Sequence, residues 1–125
     1  MRILAGGLAL ALGINALAML FGSFWWYNAV PGVTATGAYN PHFVRDIGAA
    51  YLVVAGGLGW FAWRPVQGWP ALVAAAAFLV LHAGIHVFDA TCSSDPLGNL
   101  IRDLPGVYLP ALLAAGLALF RRPGA

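Results

Sequence analysis

Three side chains that can ligate a metal ion or carry a proton recur at helical spacing within one apolar segment. They are His82, His86 and Asp89, at positions i, i+4 and i+7. In a helix this spacing puts all three on one face, with His82 roughly 10 Å below Asp89 along the axis. Two imidazoles one turn apart and a carboxylate can bind a divalent metal, so the spacing predicts a metal site at these residues.

A second set of ionisable residues precedes two other apolar segments. Its members are His42, Arg45, Asp46, Arg102 and Asp103. We predict that these residues form the rest of a cofactor-binding pocket. His42 and Asp46 lie four residues apart on one helical face and could complete a metal shell. Alternatively, His42 and His86 could hold a haem iron from both sides.

The same residues also allow two interpretations without a bound metal or haem. His86 beside Asp89 has the composition of a general base and its carboxylate partner, as an acid/base enzyme or a proton relay needs. Histidines also join transmembrane helices through hydrogen bonds worth on the order of 1 kcal/mol, which is a purely structural role. The sequence leaves all of these interpretations open.

Four apolar segments position these side chains. They cover about residues 3–27, 47–63, 69–88 and 104–120, and each is about long enough to cross a hydrocarbon core of ~30 Å as a helix. The 125-residue chain is 62% apolar and 8% charged, which is too little polar surface for a water-soluble domain. The sequence therefore predicts an all-α fold, an integral membrane four-helix bundle forming a single domain.

Arginines predict the orientation, because short cytoplasmic loops retain positive charge. On one side of the spans lie Arg2, Arg64, Arg121 and Arg122. On the other side, Arg45 and Arg102 are each followed by an aspartate. We expect the first side and both termini to be cytoplasmic. The opposite side, the acidic end, carries all four acidic residues, Asp46, Asp89, Asp95 and Asp103.

Net charge and cysteine content limit the classes of partner that the chain is expected to bind. The net charge of +2 comes from the arginines of the expected cytoplasmic side and suits anionic lipid head groups. No basic stripe with interleaved aromatic residues exists, so we expect no nucleic-acid partner. Cys92 is the single cysteine, which excludes an internal disulfide and leaves open a bridge to another chain.

A short sequence pattern occurs twice. Arg45, Asp46 and Tyr51 return as Arg102, Asp103 and Tyr108, at an offset of 57. This repeated pattern is compatible with two helical hairpins in the same orientation. We expect each arginine to form an ion pair with a carboxylate of the neighbouring hairpin. Ahead of the first copy, Asn40 followed by Pro41 predicts a helix N-terminus. In the second copy, we expect Asp103 in the first turn of the last span.

The motif Asn40-Pro41-His42-Phe43-Val44-Arg45-Asp46-Ile47-Gly48, the four short spans and the long first outer loop resemble the small DoxX-like membrane proteins of bacteria. The resemblance implies a multi-pass protein of a bacterial inner membrane. It also implies a redox-accessory role, since some members of that group are associated with quinone-linked oxidoreductases. It assigns no catalytic residue.

Three functions follow from these observations. The first is a redox-accessory protein whose outward-facing pocket binds a metal, a haem or a quinone head group. The second is a small membrane enzyme that acts on a lipid or another anionic substrate through His86 and Asp89. The third is a structural subunit of a membrane complex. The bilayer is a partner in each case, and a small bundle also suits homo-oligomers or a partner protein.

Overall fold

The computed structural model describes residues 1–120, which are almost entirely helical and contain no β-strand. Its elements are helix α1 (Arg2–Phe21), helix α2 (Ser23–Ala29), a 3-10 turn (Val33–Thr36), helix α3 (Pro41–Trp63), helix α4 (Pro65–Thr91), helix α5 (Pro96–Asp103), a π-helical turn (Leu104–Tyr108) and helix α6 (Leu109–Phe120). Helices α1, α3 and α4, and the continuous span Pro96–Phe120, are long and apolar enough to cross a membrane. The chain is a multi-pass helical membrane protein, as the sequence predicts.

The four spans pack in chain order, each antiparallel to the next. Helix α1 packs on α3, α3 on α4, and α4 on α5 and α6, whereas α1 and α6 make only slight contact. The interior is built mainly from small and aliphatic side chains, with Leu58, Leu72 and Ala114 fully buried. Small residues let the helices approach closely. A Cβ atom at Gly48, for example, would lie 2.8 Å from the Cβ atom of Met19 on α1.

The first predicted span, residues 3–27, is two helices. Helix α1 ends at Phe21 and α2 begins at Ser23. Between them, the backbone of Gly22 leaves helical geometry, with φ −124° and ψ 39°. On α2, the indole Nε1 of Trp26 donates a 2.8 Å hydrogen bond to Oδ1 of Asn15 in the middle of α1. The break therefore lets α2 supply the partner that an amide inside a membrane span requires.

At the acidic end, two helices begin well before the apolar segments do. Helix α3 begins at Pro41, because the Asn40 side chain accepts hydrogen bonds from the backbone N–H groups of His42 and Phe43. This cap confirms the predicted helix start. Helix α5 begins at Pro96, because the Asp95 side chain accepts from the Gly98 N–H at 3.0 Å.

The last span contains a wide turn where prolines interrupt the usual hydrogen-bond pattern. The expectation that Asp103 lies in the first turn of this span is wrong, since Asp103 ends α5. Pro105 and Pro110 have no N–H to donate, and the backbone between them widens into a π turn in which the N–H of Leu109 bonds to the carbonyl of Leu104. Such turns often occur at functional sites.

Arg2 fastens α1 to the end of α3. Its Nε donates to the carbonyl of Ala62 at 2.8 Å and its Nη2 to the carbonyl of Trp63 at 3.0 Å. These are the free carbonyls of a helix C-terminus, which favours positive charge.

We expect Arg2→Gln to lower the free energy of unfolding by about 1 kcal/mol, because two charge-assisted hydrogen bonds at an exposed site are lost. Thermal unfolding in mild detergent measures the change. The matched control is Arg64→Gln, since the one contact of the Arg64 side chain among residues 1–120 is with the ring of Trp63, at 4.6 Å, and exposed contacts of that kind contribute about 0.5 kcal/mol. Equal losses in both variants would show that the carbonyl contacts of Arg2 add nothing.

Candidate functional site

A hydrogen bond between two spans lies at the centre of the site. Nδ1 of His86 on α4 is 2.8 Å from Oδ2 of Asp103 at the end of α5. The Asp103 side chain is 10% exposed and that of His86 30%. An ionised carboxylate can only accept hydrogen bonds, so the ring donates from Nδ1. Its Nε2 atom is then the position at which an incoming group can give or take a proton.

Arg102 holds the carboxylate from the other side. Its Nε donates to Oδ1 of Asp103 at 2.8 Å and its Nη2 to Oδ2 at 3.3 Å. Its Nη1 donates to Oδ1 of Asn99 at 2.7 Å, and the Asn99 amide donates to Oγ of Ser93 at 2.8 Å. The chain of contacts thus runs back to the end of α4. Bidentate arginine contacts fix the orientation of a carboxylate as well as its charge.

The expected bridge from Arg102 to the neighbouring hairpin is wrong. The carboxylate partner of Arg102 is Asp103, the next residue in the chain. The contact between helices is made instead by Asp103 and His86.

His82 lies one turn further into the span, among aromatic rings. Its ring centroid is 4.7 Å from that of His86, at an interplanar angle of 62°. The ring stacks on Phe78 at 5.9 Å and meets the edge of Tyr51 at 5.7 Å. The histidine pair therefore faces α3 and α5, as a polar stripe in a membrane span should.

Four of the eight predicted site residues lie apart from this cluster. Among the described residues, Asp89 and Arg45 are exposed and have no hydrogen bond or ion pair. Nε2 of His42 and Oδ2 of Asp46 lie 3.3 Å apart, but both side chains are largely exposed, at 81% and 58%. The cluster itself consists of His82, His86, Arg102 and Asp103.

The positions of these residues along and around α3 explain this separation. Tyr51 is the residue of α3 that reaches His82, and His42 lies nine residues earlier, about 13 Å further along the axis. The buried face of α3 carries Gly48 and Tyr51, while His42 and Asp46 lie outside it. His42 therefore lies off the buried face of α3, with 81% of its side chain exposed, and the pairing of His42 with His86 around a haem stays a prediction.

The donor set for a metal is incomplete in the part of the chain that the structure describes. No group of three or more His, Cys, Asp or Glu side chains within residues 1–120 lies close enough to hold a metal ion. His86 has Asp103 as its partner, and the Asp89 side chain has no hydrogen bond or ion pair with any described residue. The metal site at His82, His86 and Asp89 stays a prediction.

An apolar groove lies beside the site, with a volume of about 330 Å³. It is lined by Val87, Leu100, Ile101, Leu104 and Tyr108. The hydroxyl of Tyr108 is buried and has no hydrogen-bond partner among the described residues. Val87 and Leu104 are the chain neighbours of His86 and Asp103, and the charges of Asp103 and Arg102 act on Tyr108, so the groove lies next to the polar cluster.

Sequence reasoning missed three residues around the cluster. Tyr51 packs its ring on His82, Asn99 holds Arg102, and Tyr108 lines the groove. The signal for the two tyrosines was their place in the repeated pattern at an offset of 57. Asn99 gave no signal, since its role depends on a helix start at Pro96 that hydropathy does not detect.

No family model, curated protein or solved structure matches the chain. The resemblance to the DoxX-like proteins therefore stays a prediction based on the motif and the predicted topology.

Proposed function

We propose that the chain is a redox-accessory membrane protein that binds the head group of a quinone-type lipid beside His86. The observation that carries the proposal is the 2.8 Å hydrogen bond between His86 Nδ1 and Asp103 Oδ2. Reduction of a quinone to a quinol takes up two electrons and two protons. A histidine whose Nδ1 is held by a carboxylate can deliver or accept a proton at Nε2. The electrons come from a partner oxidoreductase, and this chain supplies positioning and proton exchange.

The groove supports the same ligand class. Its lining is apolar, which suits an isoprenoid tail that enters from the lipid, and ligand sites combine such surfaces with a few polar groups. Tyr108 contributes a hydroxyl that lacks a hydrogen-bond partner in the described part of the chain. A quinone carbonyl is an acceptor that such a donor can satisfy.

We further propose that the acidic end faces outward from a bacterial inner membrane, with both termini cytoplasmic. Arg2 and Arg64 lie at the opposite end of the spans from the site. The charge of Arg102 at the acidic end is offset by Asp103, so the arginine bias favours this orientation. Arg121 and Arg122, on which the predicted bias also rests, lie outside the described residues.

Binding of decylbenzoquinone to the purified protein in mild detergent tests the proposal. We expect saturable binding, measured by calorimetry, and an affinity about tenfold weaker in His86→Gln, because the head group loses a hydrogen bond in a desolvated site. The matched control is His42→Gln, since His42 also lies beside an aspartate but is exposed. That variant should bind as the wild type does.

Two results would overturn this proposal. The first is equal affinity for decylbenzene, which has the same tail and no carbonyl groups. The second is near-stoichiometric iron, copper, zinc or manganese in the purified protein that is lost in the His82→Ala/His86→Ala variant. Elemental analysis of the same preparation measures it, and that outcome would favour metal or haem ligation instead.

A further inference from the structure

We infer that Gly32, in the loop between α2 and α3, is a positioning residue that holds the Arg102 guanidinium against Asp103. This inference rests on the proposed role of the His86–Asp103 pair. The loop is distant from Arg102 in sequence, and it brings a third part of the chain to the polar cluster.

The loop backbone at Gly32 closely approaches the Arg102 guanidinium. A Cβ atom built at Gly32 would collide with Cζ and Nε of Arg102 and would lie 2.7 Å from Nη1. Gly32 also has φ +85°, in the left-handed region that favours glycine. Both observations favour glycine here, and a larger side chain at this position would displace the Arg102 guanidinium.

The loop is itself fixed to α2, so its backbone can limit the movement of the Arg102 side chain. The Tyr27 hydroxyl donates to the carbonyl of Gly37 at 2.6 Å, and Oγ of Ser23 and the Tyr39 hydroxyl lie 2.6 Å apart. The Tyr39 ring packs on Phe24 and Tyr27, with centroids 5.2 Å and 5.3 Å away. The Gly32 carbonyl itself accepts a hydrogen bond from the Ala35 N–H at 3.1 Å, so the Gly32 backbone is tied into this fixed loop.

The contact between Gly32 and Arg102 is steric. In the described range, every hydrogen bond of the Arg102 guanidinium goes to Asp103 or Asn99, and none goes to the loop. An arginine side chain that is one-third exposed has many rotamers to choose from. The loop backbone blocks part of that space, so the guanidinium stays where it holds both carboxylate oxygens. A catalytic or binding group needs this kind of support from its neighbours.

The test compares two glycines of the same loop. Gly37 also has a positive φ, +141°, but a Cβ atom there would meet nothing within 4 Å. Both Gly32→Ala and Gly37→Ala strain the backbone, and only the first pushes on Arg102. The readout is the solvent exchange rate of the His86 ring N–H proton, measured by NMR on protein with ¹⁵N-labelled histidine. We expect exchange about tenfold faster in Gly32→Ala and unchanged in Gly37→Ala.

A double-variant cycle separates positioning from simple loop damage. In an Arg102→Gln background the side chain is shorter, so Gly32→Ala should no longer change the exchange rate. Equal effects of Gly32→Ala in both backgrounds, or equal effects of the two glycine variants, would overturn the inference. Gly32→Asn repeats the test if Gly32→Ala does not fold, since Asn tolerates positive φ. The readout needs no quinone, so failure of the proposed function would show separately, in the decylbenzoquinone binding.

Discussion

Replacing Asp103 by asparagine is expected to lower the free energy of unfolding by about 2 kcal/mol and to abolish most quinone binding. Asparagine keeps the shape of the side chain and loses its charge. The guanidinium of Arg102 then loses its ion-pair partner, with which the native protein makes two contacts at 2.8 Å and 3.3 Å. Removing one partner of a fully buried pair costs about 3–5 kcal/mol, but here only the carboxylate is largely buried. Because Arg102 is 34% exposed, water screens part of that cost.

The matched control for this variant is Asp46→Asn. Asp46 occupies the same place in the repeated pattern, directly after an arginine. Its only polar side-chain partner in the described chain is His42, at 3.3 Å, and 58% of its side chain is exposed. We expect a change below about 0.5 kcal/mol, as for other exposed ion pairs. Thermal unfolding in detergent, with binding of decylbenzoquinone, compares the two variants. Equal losses would mean that the contacts of Asp103 contribute no more than those of an exposed pair.

Hydropathy was sufficient to predict the four spans, because the thickness of the hydrocarbon core sets their length. It could not place the helix ends at the acidic end. Helices α3 and α5 begin at Pro41 and Pro96, ahead of the apolar segments, through caps supplied by Asn40 and Asp95. Turns that extend beyond the hydrocarbon can be polar, so apolar content does not reveal them.

The site was predictable only within single helices. Helical spacing is enough to put His82 and His86 on one face, and the structure has their rings 4.7 Å apart. The same spacing pointed to Asp89 as the carboxylate, but the carboxylate that meets His86 is Asp103. Which carboxylate meets a histidine across two helices depends on how far one helix is shifted along the other. Periodicity within one segment carries no information on that shift.

The repeated pattern shows the same limit. Arg45 and Asp46 lie in the first turns of an uninterrupted helix and are exposed. Arg102 and Asp103 end a short helix before the π turn, where Pro105 stands in the place of Gly48. Identical residues therefore make different contacts, because the backbone around them differs. The hairpin duplication itself stays a prediction.

The relative position of α3 and α4 along their axes brings Tyr51 to His82. We expect this position to depend on a close approach at the other end of the two helices. Gly68 lies in the first turns of α4, shortly after Arg64 joins the helices. A Cβ atom at Gly68 would lie 2.6 Å from both N and Cα of Phe61. These are backbone atoms of α3, so no side chain can rotate to make room.

We expect Gly68→Ala to lower the free energy of unfolding by about 3 kcal/mol, at the upper end of the range for overpacked sites, because a whole helix has to shift to admit one methyl group. The matched control is Gly56→Ala on α3, where a Cβ atom would meet nothing within 4 Å and alanine favours the helix by up to about 1 kcal/mol. Thermal unfolding in detergent distinguishes the two variants. Because the shift moves α4 along α3, Gly68→Ala should also change the ¹⁵N signals of the His82 ring beside Tyr51. A Gly68→Ala protein as stable as Gly56→Ala, with unchanged His82 signals, would show that this contact does not set the register of the site.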